Sequence, residues 1–274
     1  MKTSSQIFSA LLPVVYFLVV LFYVQIFRAR NKWLENKSSF VLITLMIIHL
    51  THIILRGLAT GAIPLITKFD ALSFLALLII GTYLLIELSL NNKATGLFVI
   101  ILSFLIQTSS SIFYNWDITQ LPLLNNPIYI THVVLTVLGY TGICISSLYA
   151  LLYIILNNII RDQRLGLIYE KFPPLNLLER ISISSVRLGI ISLGLGILIG
   201  HLRAGYLFNT FWPLDAKVIL SDIIWFGYFA GYIIAQLNKW RGRWMAYLSM
   251  TGFAIFILVN LLIIFIDNTF HRFQ

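Results

Sequence analysis

Runs of about twenty apolar residues, each closed by a short polar stretch, dominate this chain. They fall at 6–27, 39–57, 70–90, 97–115, 128–157, 184–205, 217–237 and 244–266. A helix needs about 20 residues to cross a hydrocarbon core of roughly 30 Å. In that medium every backbone N–H and C=O must be paired within its own segment, which leaves helix as the conformation for such runs. The expected fold is therefore all-α: a polytopic membrane helix bundle of about eight transmembrane helices. Composition agrees, because 59% of residues are hydrophobic and only 11% charged, against about a quarter charged in soluble domains. No internal repeat or low-complexity tract divides the chain, so residues 1–274 are expected to form a single integral membrane domain.

Orientation follows from where the cations lie, since lysine and arginine concentrate in cytoplasmic loops. Of 19 such residues, one set of loops carries Arg28, Arg30, Lys32, Lys37, Lys93, Arg161, Arg164, Lys171, Arg180, Lys239, Arg241 and Arg243. The opposite set carries Lys2, Lys68, Arg203, Lys217 and Arg272, while Arg56 and Arg187 sit within spans. With an even number of spans, both termini face outward, and in a bacterium the membrane is the cytoplasmic (inner) membrane with the periplasm outside. The net charge of +9 is thus accounted for by membrane orientation, and no nucleic-acid partner is expected. The first apolar run is too long for a leader and lacks a small-residue cleavage site. The connection "IIRDQRLGLIYEKFPPLNLLERI" (159–181) interleaves charges with apolar residues around Pro173-Pro174 and is expected to lie along the interface in short amphipathic pieces. The single cysteine, Cys144, lies inside a span and no CxxC exists, which excludes a disulfide within the chain and argues against thiol-redox chemistry.

The five histidines, His49, His52, His132, His201 and His271, all avoid the cation-rich loops. His132 opens the fifth span, His201 closes the sixth, and His271 follows the eighth, so three converge on the outer face. Beside them runs "GHLRAGYLFNTFWPLDAKVILSD" (200–222), unusually rich in aromatics and charge for a helix connection. Imidazole is an axial ligand for haem iron; Phe208, Phe211 and Trp212 offer flat apolar surface for a macrocycle, and Arg203, Lys217 and Arg272 offer cations for propionates. A zinc site is the weaker alternative, since no HxxxH or HExxH spacing occurs. Within the bilayer, His49, His52 and Arg56 stand at i, i+3 and i+7 on one helical face. Ionisable groups there are costly and mark pathways or pairs. Asp222 needs a partner, with Arg56 or Arg203 as candidates for a structural ion pair, and Glu87 is expected to reach the interface.

These residues resemble the cytochrome c assembly protein family, haem-handling membrane proteins of CcsA, CcmC and HemX type, from about residue 45 onward. The stretches that carry the likeness are "LTHIILRGLATGAIPLITKFDALSFLAL", "NPIYITHVVLTVLGYTGICISSLYALLYI", "FPPLNLLERISISSVRLGIISLGLGILIGHLRA", "WRGRWMAYLSMTGF" and "NTFHRF". The resemblance implies outer haem-ligand histidines at His132 and His271. It also aligns the family's W-G-x-x-W-x-W-D-P-K-E loop, without a gap, to Phe208, Asn209, Thr210, Phe211, Trp212, Pro213, Leu214, Asp215, Ala216, Lys217 and Val218. One of three tryptophans, the aspartate and the lysine are kept. The seventh span, "IIWFGYFAGYIIAQ", lacks the membrane histidine of typical cytochrome c maturation members.

The leading reading is a haem-binding assembly factor that presents haem b at the outer face to apocytochrome c or a maturation partner. His132 and His271 would ligate iron; Trp212, Phe208, Phe211, Asp215, Lys217 and Arg203 would hold the macrocycle; His52 and Arg56 would serve the membrane part of the path. No nucleophile, acid–base dyad or redox cysteine is visible, so the chain reads as an assembly factor, at most part of a haem lyase. The alternative is a non-catalytic HemX-like scaffold or regulator of tetrapyrrole synthesis working through the Arg161–Arg180 loop. A weaker third reading is a transporter of another hydrophobic or anionic molecule along His52, Arg56 and Asp222.

Overall fold

The computed structural model describes residues 2–28, 32–61, 63–90, 92–114, 126–163 and 166–264, with side chains placed in these ranges except at 2–5, 208 and 262–264. The described residues are all-helical. Helices α1 (Lys2–Arg28), α2 (Lys32–Thr60), α3 (Lys68–Leu90), α4 (Gly96–Ile112), α5 (Pro127–Arg161), α6 (Leu167–Lys171), α7 (Leu175–Phe208), α8 (Ala216–Leu237) and α9 (Arg243–Ile264) follow in order. Seven are long and apolar enough to cross a membrane. The eighth expected span is α4, whose 17 residues reach about 25 Å at 1.5 Å per residue, somewhat short of the core alone. The protein is a multi-pass helical membrane protein.

Two compact units form along the chain. In the first, α1 packs on α2 and α4, and α3 packs on the same two, closing a four-helix bundle. Its interior is unusually polar for a membrane bundle. Glu87 is 1% exposed and accepts hydrogen bonds from Tyr23 Oη (2.7 Å), Ser38 Oγ (2.7 Å) and Ser39 Oγ (2.8 Å). The expectation that Glu87 reaches the interface is corrected here: three hydroxyls from α1 and α2 replace water around it, which makes burial tolerable.

The second unit is built on α5 and α7, whose apposition is its most extensive contact, with α8 and α9 packed alongside. Ile143, Leu193, Ile224 and Phe256 bring all four helices into one apolar cluster. α7 begins at Leu175, nine residues before the expected span. Pro174 serves as its N-cap residue in extended conformation, and no breaker follows, so residues 175–183 join the helix instead of lying apart from it. Helices α5 and α7 approach closely because small residues line the seam, the usual device where lipid removes any hydrophobic drive for association. A Cβ on Gly142 would sit 2.6 Å from the Ser185 carbonyl oxygen and 2.7 Å from the Gly189 Cα. Gly142→Ala is therefore expected to destabilise by about 1–3 kcal/mol, read as a lowered Tm in detergent. Gly227→Ala, whose Cβ would meet nothing within 4 Å, is the matched control and should not lower it.

Candidate functional site

At one end of the second unit, α5, the end of α7, the 209–215 connection and the start of α8 come together. The His132 ring lies against α7 where two glycines leave room: a Cβ on Gly200 would fall 2.9 Å from its Cε1, and one on Gly196 would meet Thr136 Oγ1 at 2.7 Å. His132 Nδ1 is 2.7 Å from the Gly196 carbonyl oxygen. A carbonyl only accepts, so Nδ1 carries the hydrogen and Nε2 is left with its lone pair. Among the described residues Nε2 has no hydrogen-bond partner. A donated Nδ1–H is the arrangement that orients ligating imidazoles and raises their basicity. Lys217 lies near enough for its charge to act on this ring.

His201 is differently placed. Its Nδ1 faces the Phe211 carbonyl oxygen at 3.0 Å, and its Nε2 faces Asp222 Oδ1 at 3.0 Å. Both nitrogens meet acceptors, a pattern completed by an imidazolium against a carboxylate, or by one proton shared with Asp222; neither leaves a lone pair for iron. The second oxygen of Asp222 accepts from Trp212 Nε1 at 2.8 Å. Phe211 stacks on the His201 ring with centroids 5.3 Å apart, and Trp212 meets it edge-on at the same separation. Asp222 thus finds His201 and Trp212, not Arg56 or Arg203 as expected from the sequence. The result is a clamp. Trp212 and Phe211 remain 58% and 44% exposed, so the clamp presents their faces outward rather than burying them.

The connection is shaped to do this. α7 ends on Asn209 in left-handed conformation (φ 54°); asparagine is among the side chains that best tolerate that region. Asp215, 3% exposed, is the N-cap of α8 and accepts from the Lys217 N–H at 2.8 Å and the Val218 N–H at 3.3 Å. Its geometry is that of a helix cap that sets where Lys217 starts. The Arg203 guanidinium lies 5.4 Å from the Tyr206 ring, and its buried Nε has no hydrogen-bond partner among the described residues. Phe208 closes α7, its side chain outside the described residues, as are His271 and Arg272. Asp222→Ala should strip Trp212 of its acceptor. The expected outcome is about 1.5–3 kcal/mol lost, as for hydrogen bonds to a charged group, with greater acrylamide quenching of the fluorescence component that Trp212→Phe removes.

The membrane histidines belong to the first unit. His49, His52 and Arg56 are 0%, 0% and 1% exposed, sharing the inner face of α2. Ser73 Oγ donates to Gln107 Oε1 at 3.1 Å, so His49 Nε2 must donate to Ser73 at 2.9 Å, and its Nδ1 must accept from Tyr16 Oη at 2.8 Å. That chain runs in a single direction and uses both nitrogens of a neutral His49. His52 Nε2 meets Ser9 Oγ at 3.0 Å. Arg56 Nε donates to Asp70 Oδ1 at 2.5 Å, both side chains 1% exposed, with the guanidinium over Phe69 at 4.5 Å. Asp70 Oδ2 also accepts from the Thr67 N–H and Oγ at 3.0 and 2.7 Å, while the Asp70 N–H donates to Thr67 Oγ1 at 3.1 Å. This is a reciprocal capping box at the start of α3, written in the sequence as "TKFD" and missed as the partner of Arg56. Asp70 holds Arg56, and neither His52 nor Arg56 offers open surface to a macrocycle.

Comparison with known proteins bears on the whole arrangement. The family model for the cytochrome C assembly protein matches residues 65–271. The chain is 26% identical to the cytochrome c biogenesis protein CcsA of Guillardia theta over 238 residues, covering 80% of this chain and 79% of the relative. It is 26% identical to CcsA of Prochlorococcus marinus (strain MIT 9301) over 267 residues, covering 87% and 86%. Protein HemX of Brevibacillus brevis is 22% identical over 206 residues, covering 75% and 76%. With a match over most of its length, the chain belongs to the cytochrome c assembly protein family.

Proposed function

We propose that this protein takes part in cytochrome c assembly by holding haem b as cargo at the outer face of a bacterial cytoplasmic membrane, for delivery to apocytochrome c or a maturation partner. One observation carries the reading: His132 is seated in a glycine slot with Nδ1–H donated to a carbonyl and Nε2 unshared, beside an outward-facing pair of aromatics. The donors present fit haem. Imidazole nitrogen suits iron, Phe211 and Trp212 supply apolar faces, and the orphaned Arg203 Nε and the Lys217 ammonium supply charge for propionates. His271 is proposed as the second iron ligand. Asp215 acts by capping α8, and the His201–Asp222 pair by holding Trp212. When bound, haem supplies the iron and vinyl groups that cytochrome assembly requires; the chain supplies ligation, orientation and a partly dry face.

A second reading rests on the likeness to HemX and on the two family tryptophans replaced by Phe208 and Leu214. In it the chain is a scaffold or regulator of tetrapyrrole synthesis, acting through residues 161–180. Two measurements separate the readings. Protein purified in mild detergent from haem-replete cells should show a six-coordinate b-type absorption spectrum; colourless protein favours the scaffold. In intact cells, a cysteine at Asn209 should react with an impermeant thiol reagent while one at Gln163 should not. The reverse pattern places His132 in the wrong compartment and removes the haem-presentation reading.

A further inference from the structure

We propose that the first unit carries an anion pocket, formed by Lys32, Lys93 and Lys171, that takes the phosphate of an anionic phospholipid headgroup. The pocket is a cleft of about 290 Å³ at the end of the bundle where α1 and α3 finish and α2 and α4 begin. Each lysine comes from a different segment: Lys32 from the first turn of α2, Lys93 from the loop before α4, and Lys171 from the end of α6. Lys93 Nζ donates to the Glu35 carbonyl, which ties the α4 loop to α2 and leaves two of its three hydrogens for another acceptor. Three lysines and one acidic residue, Glu35, line this small volume. The excess of cationic over anionic lining residues favours an anion seated there.

The other walls say which anion. Ile26, Phe27 and Ala94 form an apolar side, and Phe27 continues into an edge-to-face aromatic group with Phe98 and Phe172 at 5.7 and 6.3 Å. Asn36 and Asn92 add amide donors. A phosphodiester with its glycerol carbons matches a cationic rim over an apolar wall. The volume falls at the bottom of the roughly 300–1,000 Å³ range for ligand pockets, which suits a headgroup better than a macrocycle. Helix ends of spans of this kind lie at headgroup level. The pocket lies in the first unit, and its function does not depend on haem at the second.

The test uses the full-length protein reconstituted in vesicles of phosphatidylcholine with phosphatidylglycerol, then released for native mass spectrometry. Wild type should retain phosphatidylglycerol over phosphatidylcholine. The combined Lys32→Gln, Lys93→Gln, Lys171→Gln variant should lose that retention by about tenfold or more, given the strength of charge-assisted contacts. Lys37→Gln with Lys239→Gln, both exposed lysines outside the pocket, should retain it. Should the combined variant fail to accumulate, Lys171→Gln alone should give a partial loss. Inorganic phosphate added to delipidated protein provides the second arm: a rise in Tm for wild type but not for the lysine variants, without phosphatidylglycerol preference, assigns the pocket to soluble phosphate. Equal retention of both lipids together with no phosphate effect overturns the proposal, as does retention unchanged by the lysine substitutions.

Discussion

His132→Ala should cut haem retention in the purified protein by on the order of a hundredfold. Of the two imidazoles described at this end of the second unit, it removes the one whose Nε2 is unshared; even an outer-shell partner of a metal ligand is worth about 10–100-fold in affinity. The neighbouring substitutions should grade below it in an order set by geometry. Gly200→Val puts branched carbon where the His132 ring sits, a Cβ alone coming within 2.9 Å of Cε1, so it should reproduce much of the loss without touching a ligand. Trp212→Ala should cost about 1–3 kcal/mol of retention, the worth of an aromatic face. His201→Gln should shift the spectrum modestly, since His201 supports the loop with both nitrogens and has none for iron. Visible absorption with haem quantified per protein reads all four. Equal loss for His201→Gln and His132→Ala would show that loop order, not ligation, controls retention.

The second large effect is expected in the first unit. Arg56→Ala leaves the Asp70 carboxylate facing a 1%-exposed interior, and breaking one side of a buried ion pair costs about 3–5 kcal/mol. Asp70→Ala should be at least as damaging, because it also strips the capping box from α3. Replacing both partners by apolar residues of similar volume, Arg56→Met with Asp70→Leu, should recover a good part of the stability, with Thr67 left as the uncompensated group. Tm in detergent and the amount of membrane-inserted protein check this. If both single variants fold normally and lose only haem, Arg56 belongs to the haem path and the structural assignment fails.

Much of the architecture was legible because the bilayer imposes one strong rule on apolar runs. Six of the eight runs lie whole within one helix each; the fourth outlasts α4, which ends at Ile112, and the eighth is followed by α9 as far as the described residues go. Boundaries were less legible where no chemistry marks them: residues 175–183 join α7 since Pro174 permits a helix start and nothing downstream forbids its continuation. The polar interior shows the same limit. That His49, His52 and Arg56 share a face follows from their spacing, but which groups meet them is a property of packing. Asp70 was within reach, as the threonine-x-x-aspartate signature of a helix start fourteen residues after Arg56. The partners of Glu87 were not, since single serines and tyrosines in apolar helices have no signature. In the second unit, His132 stood out by its place at the start of an apolar run, whereas the roles of His201 and Asp222 emerge only when the 209–215 connection folds Trp212 back onto both. Asn209 in left-handed conformation explains how that connection turns without a glycine at this position.

The account's central claim is that His132 Nε2 is an iron ligand, and a cavity-rescue measurement tests it most directly. His132→Gly removes the imidazole but leaves its slot against Gly196 and Gly200. Added imidazole should then bind in that slot and restore the six-coordinate b-type spectrum to haem-loaded variant protein, while leaving Gly200→Val unrestored because its slot is filled. That pair of results is what ligation by His132 requires. A His132→Gly protein whose spectrum matches wild type before any imidazole is added would contradict it.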